Sequence, residues 1–127
     1  MTLCLDSWAI LSWLEGAEPA ASHVEVALQS RPLMSWINLG EVAYILERRT
    51  DPGNTRQVVR ALRRTLDLEL PTEGRVLEAA RIKARHRMAY ADAFAVATAV
   101  AHGADLLTGD SEILEADADW RVVDIRQ

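Results

Sequence analysis

The chain has 127 residues, half of them hydrophobic and 26% charged, with a net charge of −5. That composition suits a single globular domain spanning residues 1–127, with a core of its own, and excludes a disordered or low-complexity chain. Cys4 is the only cysteine, which excludes an intrachain disulfide, and no run of about 18 uncharged apolar residues offers a membrane span.

The elements are expected to alternate. Thr2–Leu5 reads as a short buried strand that ends at Asp6. A helix is expected over Ser7–Glu15, stopped by Gly16, and a second from Pro19 to Gln29, where Pro suits a helix start. Pro32–Ile37 reads as the next strand. Asn38 then serves as N-cap of a helix over Leu39–Arg48, with Glu41 in a capping-box position. Thr50–Asn54 carries turn chemistry. It leads into a helix over Thr55–Leu66, with Val58, Val59, Leu62 and Leu66 on one face and Arg56, Arg60, Arg63 and Arg64 largely opposite. Leu68–Leu70 reads as a third strand closed by Pro71, and Thr72 caps a helix over Glu73–Arg87. Tyr90–Val100 is an Ala-rich helix apolar on nearly every side, hence buried, with Asp92 in its first turn. A strand around Leu106 ends at Asp110, a short helical piece covers Ser111–Glu115, and Arg121–Ile125 reads as a last strand.

This alternation predicts an α/β fold: a three-layer α/β/α sandwich around a mostly parallel sheet of about four or five strands. Cys4 belongs to its core. The N-terminal apolar run is broken by Asp6 and lacks a basic leader, so the expected location is the cytoplasm, away from any membrane. Charge is unevenly spread: between Arg48 and Arg87 stand eleven of the fourteen Lys/Arg residues but only five of the nineteen Asp/Glu. The arginines of Arg56–Arg64, with Arg85 and Arg87, can neutralise nucleic-acid phosphates, although a solvated helix face explains them equally well. Trp8, Trp13 and Trp36 suit the core or a dimer face better than base stacking, and His23, His86 and His102 lack ligand spacing.

In an open parallel sheet the carboxyl ends of the strands share one edge, where ligands bind. Asp6 and Asp110 end strands, Glu41 follows one, and Asp92 opens the helix before another, so the topology gathers four carboxylates. Such a cluster repels itself unless a cation holds it. Mg²⁺ or Mn²⁺ suits an all-oxygen set without His or Cys, and supports in-line hydrolysis of a phosphodiester. Ser7, Asn38 and Thr108 are the polar residues placed to hydrogen-bond the acids or a metal-bound water. Taken singly, each acid is better read as a helix cap or capping-box residue; taken together, caps alone do not explain four acids at one edge.

The blocks Leu5-Asp6-Ser7, Asn38-Leu39-Gly40-Glu41-Val42, Tyr90-Ala91-Asp92-Ala93-Phe94-Ala95-Val96-Ala97-Thr98-Ala99 and Leu106-Leu107-Thr108-Gly109-Asp110, in this order, resemble the PIN-domain family and, within it, the VapC-type toxins. The resemblance covers nearly the whole chain. It implies a Mg²⁺/Mn²⁺-dependent ribonuclease with Asp6, Glu41, Asp92 and Asp110 as active acids. It further implies structured RNA such as tRNA or rRNA as substrate, a homodimer, and a small cognate antitoxin as partner. Where such toxins often carry an aromatic residue after the last acid, this chain has Ser111-Glu112-Ile113, which makes Asp110 the least secure of the four and brings in Glu112 as an extra candidate. Two alternatives stand beside this. One is a non-catalytic module binding RNA or protein on the same fold. The other is Asp-dependent phosphoryl transfer, which lacks here an adjacent acid pair, a second Asp two residues after Asp6 and a lysine near the last strand.

Overall fold

The computed structural model describes residues 2–127. The chain runs β1 (Leu3–Leu5), α1 (Ser7–Glu15), α2 (Ala20–Leu28), β2 (Leu33–Ser35), α3 (Trp36–Arg49), α4 (Pro52–Thr65), β3 (Asp67–Glu69), α5 (Glu73–Arg85), α6 (Tyr90–Ala101), β4 (Asp105–Thr108), α7 (Ser111–Leu114) and β5 (Val122–Asp124). All four strand pairings are parallel, in the order β3-β2-β1-β4-β5. The chain starts in the central strand, builds outward to β2 and β3, then crosses to β4 and β5. The switch point therefore falls between β1 and β4.

Side chains alternate across the pleat and so divide the core into two. Leu5, Met34 and Leu107 join the apolar faces of α1, α2, α3 and α4. Cys4, Leu33 and Leu106 join α5 and α6 on the other side. The expected three layers are thus present, with a sheet parallel throughout. Residues Asp92 to Ala99 of α6 are buried without interruption, and its alanines let the helix lie close to the sheet. Cys4 is fully buried, which pushes its thiol pKa up and leaves it a packing residue.

The starts of α3 and α4 depart most from the sequence reading. Asn38 is not the N-cap of the third helix: Ser35 holds that place, its hydroxyl accepting from the Ile37 N–H at 3.1 Å. Trp36 and Ile37 thereby leave the strand for the helix, and Glu41 falls in its second turn, outside any capping box. Likewise α4 begins at Pro52 with Asp51 as cap, so most of the expected turn is its first turn. Far from these starts, Arg75 of α5 joins Glu69 of β3 at 2.7 Å and Glu69 joins His102 beyond α6 at 2.5 Å, tying the α5–α6 hairpin to the edge strand.

Candidate functional site

Asp6 follows β1 and is completely buried. Its Oδ1 caps α1, accepting from the Ala9 N–H at 2.8 Å, and its Oδ2 accepts from the Thr108 hydroxyl. Thr108 closes β4, the strand paired with β1 at Leu5 and Leu107. Its hydroxyl oxygen also accepts from the Asp110 N–H at 2.9 Å. Asp110 in turn caps α7: its Oδ1 accepts from Glu112 N–H at 2.9 Å and Ile113 N–H at 3.1 Å. Cap and site are therefore not rival readings, because a cap on Asp110 occupies Oδ1 and leaves Oδ2 over.

Asp92 lies in the first turn of α6, whose cap position, Ala89, has no side chain to satisfy the helix end. The positive end of the dipole favours a carboxylate there. Glu41 is half-buried and accepts a hydrogen bond from the Ser7 hydroxyl, which draws α3 to the start of α1. Asn38 donates from Nδ2 to the Ala91 carbonyl at 2.9 Å, joining α3 to the start of α6. Its Oδ1 is buried with no partner among the described residues. Ser7 and Thr108 thus contact acids, and Asn38 contacts the residue beside Asp92.

The acids whose oxygens come within 4.8 Å of one another are Asp92, Asp110 and Glu112. Glu112 joins the tight group because α7 starts immediately at Asp110, which turns the next helical acid back toward the edge. Asp6 and Glu41 stand outside this close group, yet near enough that Asp6 feels Asp92 and Asp110 and that Asp92 feels Glu41. Burial, above all, raises the Asp6 pKa from 3.8 to about 7 against the hydrogen bonds from Thr108 and Ala9, with the Asp92 and Asp110 charges adding to it. Asp92 is likewise raised to about 7, by burial first and then by Asp110, Glu41 and Glu112. All five acids thus lie at one edge, at the switch point.

Among the described residues one cation touches this group: Arg87, itself 97% exposed, stands 3.7 Å from Glu112. Arg85, His86 and Arg87 line a cleft of about 480 Å³ together with Glu112, Glu115 and Asp117. Arg56, Arg60, Arg63 and Arg64 occupy the exposed face of α4 and line no part of that cleft. The histidines have structural partners: His23 the Gln127 carbonyl, His86 the Trp120 ring, His102 Glu69. Sequence reasoning passed over Gly109, on which the turn before Asp110 depends: a Cβ there would land 2.2–2.4 Å from three carbons of the Trp8 ring.

An open parallel α/β sheet with carboxylates gathered just past its central strand ends defines a protein whose site is acidic and lies at the switch point. The chain belongs to the PIN domain family, whose model matches residues 3–119. No curated protein matches the sequence significantly. Its fold is that of VapC-type toxin structures. The DNA-bound VapBC of Salmonella typhimurium is 19% identical over 98% of this chain and 98% of that chain, with a TM-score of 0.77. VapBC-1 of nontypeable Haemophilus influenzae is 19% identical over the full length of both chains, at 0.76. VapC20 of Mycobacterium tuberculosis, described as a sarcin-ricin loop cleaving toxin, is 17% identical over 93% of this chain and 97% of that chain, at 0.74. At these identities the likeness concerns the fold.

Among the described residues no helix is long and apolar enough to cross a membrane.

Proposed function

We propose that this chain is a metal-dependent endoribonuclease, the toxin of a toxin–antitoxin pair, which hydrolyses phosphodiester bonds of structured RNA such as tRNA or rRNA. The observation that carries the reading is the convergence of Asp92, Asp110 and Glu112 within 4.8 Å, beside buried Asp6 and half-buried Glu41. Family membership supports nuclease chemistry. The likeness to VapBC toxin–antitoxin structures supports an antitoxin as partner; a homodimer as the working unit and the cytoplasm as its location are part of the same proposal.

The donor set fits a hard divalent cation. It is all oxygen, contains no His or Cys, and carries more negative charge than Arg87 offsets. Asp6, Asp92 and Asp110 would hold Mg²⁺ or Mn²⁺, with Glu41 and Glu112 completing the ring. When bound, the ion supplies a water of lowered pKa and positive charge for the leaving oxygen. The chain's own residues do the rest. Thr108 and the Ala9 N–H fix both Asp6 oxygens, and Ser7 holds Glu41 toward the site. Asp6 and Asp92, both near pKa 7 alone, give up protons as the site fills, so occupancy rises with pH.

Incubated with total RNA and Mg²⁺ or Mn²⁺, the purified protein is expected to release discrete fragments, and EDTA to stop it. RNA left intact under both cations would sink the proposal. Arg85 and Arg87, on the cleft beside Glu112, are assigned to the phosphates flanking the cut, with Arg56, Arg60, Arg63 and Arg64 contacting the strand farther out. Replacing Arg85 and Arg87 together with alanine should raise KM and flatten the salt dependence of binding by about one unit of log–log slope per contact, with kcat little changed. An unchanged slope would remove them from the RNA path.

A further inference from the structure

The geometry points to Trp8 and Gly109 as a matched pair that positions Asp110, and with it Thr108, for the acidic site; this deepens the metal-site reading and rests on it. Residue 109 is the single link between two residues that anchor acids. Before it, the Thr108 hydroxyl donates to Asp6 and accepts from the Asp110 N–H. After it, Asp110 uses Oδ1 to cap α7. Glycine is needed at this link for space, since its backbone is not in the left-handed region.

The six-membered ring of Trp8 fills the volume a side chain at residue 109 would need. A Cβ would meet three of its carbons at 2.2–2.4 Å, about 1 Å inside van der Waals contact. The indole is a rigid plate, half-buried and packed against the core formed by α1 to α4, so it has little freedom to withdraw. Trp8 thus serves as a floor under the Thr108–Asp110 turn, and Gly109 as the gap that lets the turn sit down on it. A methyl group at residue 109 would lift the turn, moving Asp110 away from Asp92 and pulling Thr108 off Asp6 in one displacement. Both residues are positioning residues, since neither is assigned a contact with metal or RNA. A shift of about 1 Å in a supporting contact commonly lowers metal affinity or activity by about 10–100-fold.

The test is a set of three full-length variants, Gly109→Ala, Trp8→Leu and the double variant. Each is read by Mn²⁺ titration calorimetry, RNA cleavage and metal-free amide NMR shifts of Thr108 and Asp110. Gly109→Ala should bind Mn²⁺ about tenfold or more weakly, cleave RNA about 100-fold more slowly and move both amide signals. Trp8→Leu in the Gly109→Ala background should recover at least tenfold of the lost cleavage and return the signals toward their parental positions. Parental Mn²⁺ affinity in Gly109→Ala would overturn the pairing, and so would a loss that Trp8→Leu leaves uncorrected. Should Gly109→Ala fail to fold, a folded, Mn²⁺-binding double variant supports the pair and an unfolded one overturns it. If the parent itself binds no Mn²⁺, the metal reading falls, while the amide shifts still decide whether Trp8 sets the turn.

Discussion

Asp92→Asn is expected to abolish RNA cleavage, by about 10³-fold or more, and yet to leave the metal-free protein more stable than the parent above pH 7. Both effects have one cause. The Asp92 carboxylate is buried at the start of α6 facing Asp110, Glu41 and Glu112, and its pKa of about 7 records how unfavourable its charge is there. An amide of the same shape removes the repulsion, and with it a principal oxygen donor for the cation on which the proposed chemistry depends. The gain should be about 1–2 kcal/mol, a rise of a few degrees in Tm. Asp6→Asn should be as inactive but gain less, because the Asp6 oxygens accept from both Ala9 and Thr108 and an amide can keep only one of those acceptors. In cells, either substitution should lift the growth arrest caused by the parent chain. Cleavage at the parental rate by Asp92→Asn, or a Tm at pH 8 below the parental one, would show that these acids are not gathered against their own repulsion around a functional site.

The acids were legible in the sequence because parallel connectivity leaves little choice. Asp6 and Asp110 each lie within two residues of a strand end, and strands alternating with helices must put those ends on one edge. The ambiguity between cap and site was real at that level. The structure shows its physical origin: a carboxylate has oxygens enough for both, as Asp110 illustrates. The start of α3 was not legible, since Leu33-Met34-Ser35-Trp36-Ile37 is an apolar run with strand character throughout. Ser35 ends the strand by capping, and Trp36 is held by packing against the core, with Arg63 above its ring. Glu112 was visible as an acid near Asp110, but a helix of four residues gives no periodicity from which to read its direction. The contact of Trp8 with Gly109 depends on the pairing of β1 with β4, which joins residues from opposite ends of the chain.

Stability of the metal-free protein should fall as pH rises from about 5 to 8, the reverse of ordinary acid denaturation. In the unfolded chain Asp6 and Asp92 lose their protons near 3.8; in the fold they keep them to about 7. Between those values the folded state binds more protons than the unfolded one, so the linkage slope is negative, and it flattens once both are ionised. Over this range Asp6 alone, fully buried, contributes a loss of about 3 kcal/mol, and Asp92, less deeply buried, contributes less. Glu69 works in the opposite sense. Arg75 holds its pKa below the usual value, so its contribution is present above about pH 4.5 and disappears as the solution becomes more acidic. Together the two effects place maximum stability below pH 5, close to the unfolded carboxylate values of 3.8 and 4.5. Mn²⁺ at a fixed concentration of one hundred times its Kd at pH 8 should stabilise by about 2.7 kcal/mol at pH 8 and by far less at pH 5.5, where it must displace protons to bind. Urea unfolding followed by the fluorescence of the four tryptophans measures both profiles. A metal-free profile that climbs or stays level from pH 5 to 8 would mean that Asp6 and Asp92 ionise as they do in water, and that the edge between β1 and β4 stores no unbalanced charge for a cation to relieve.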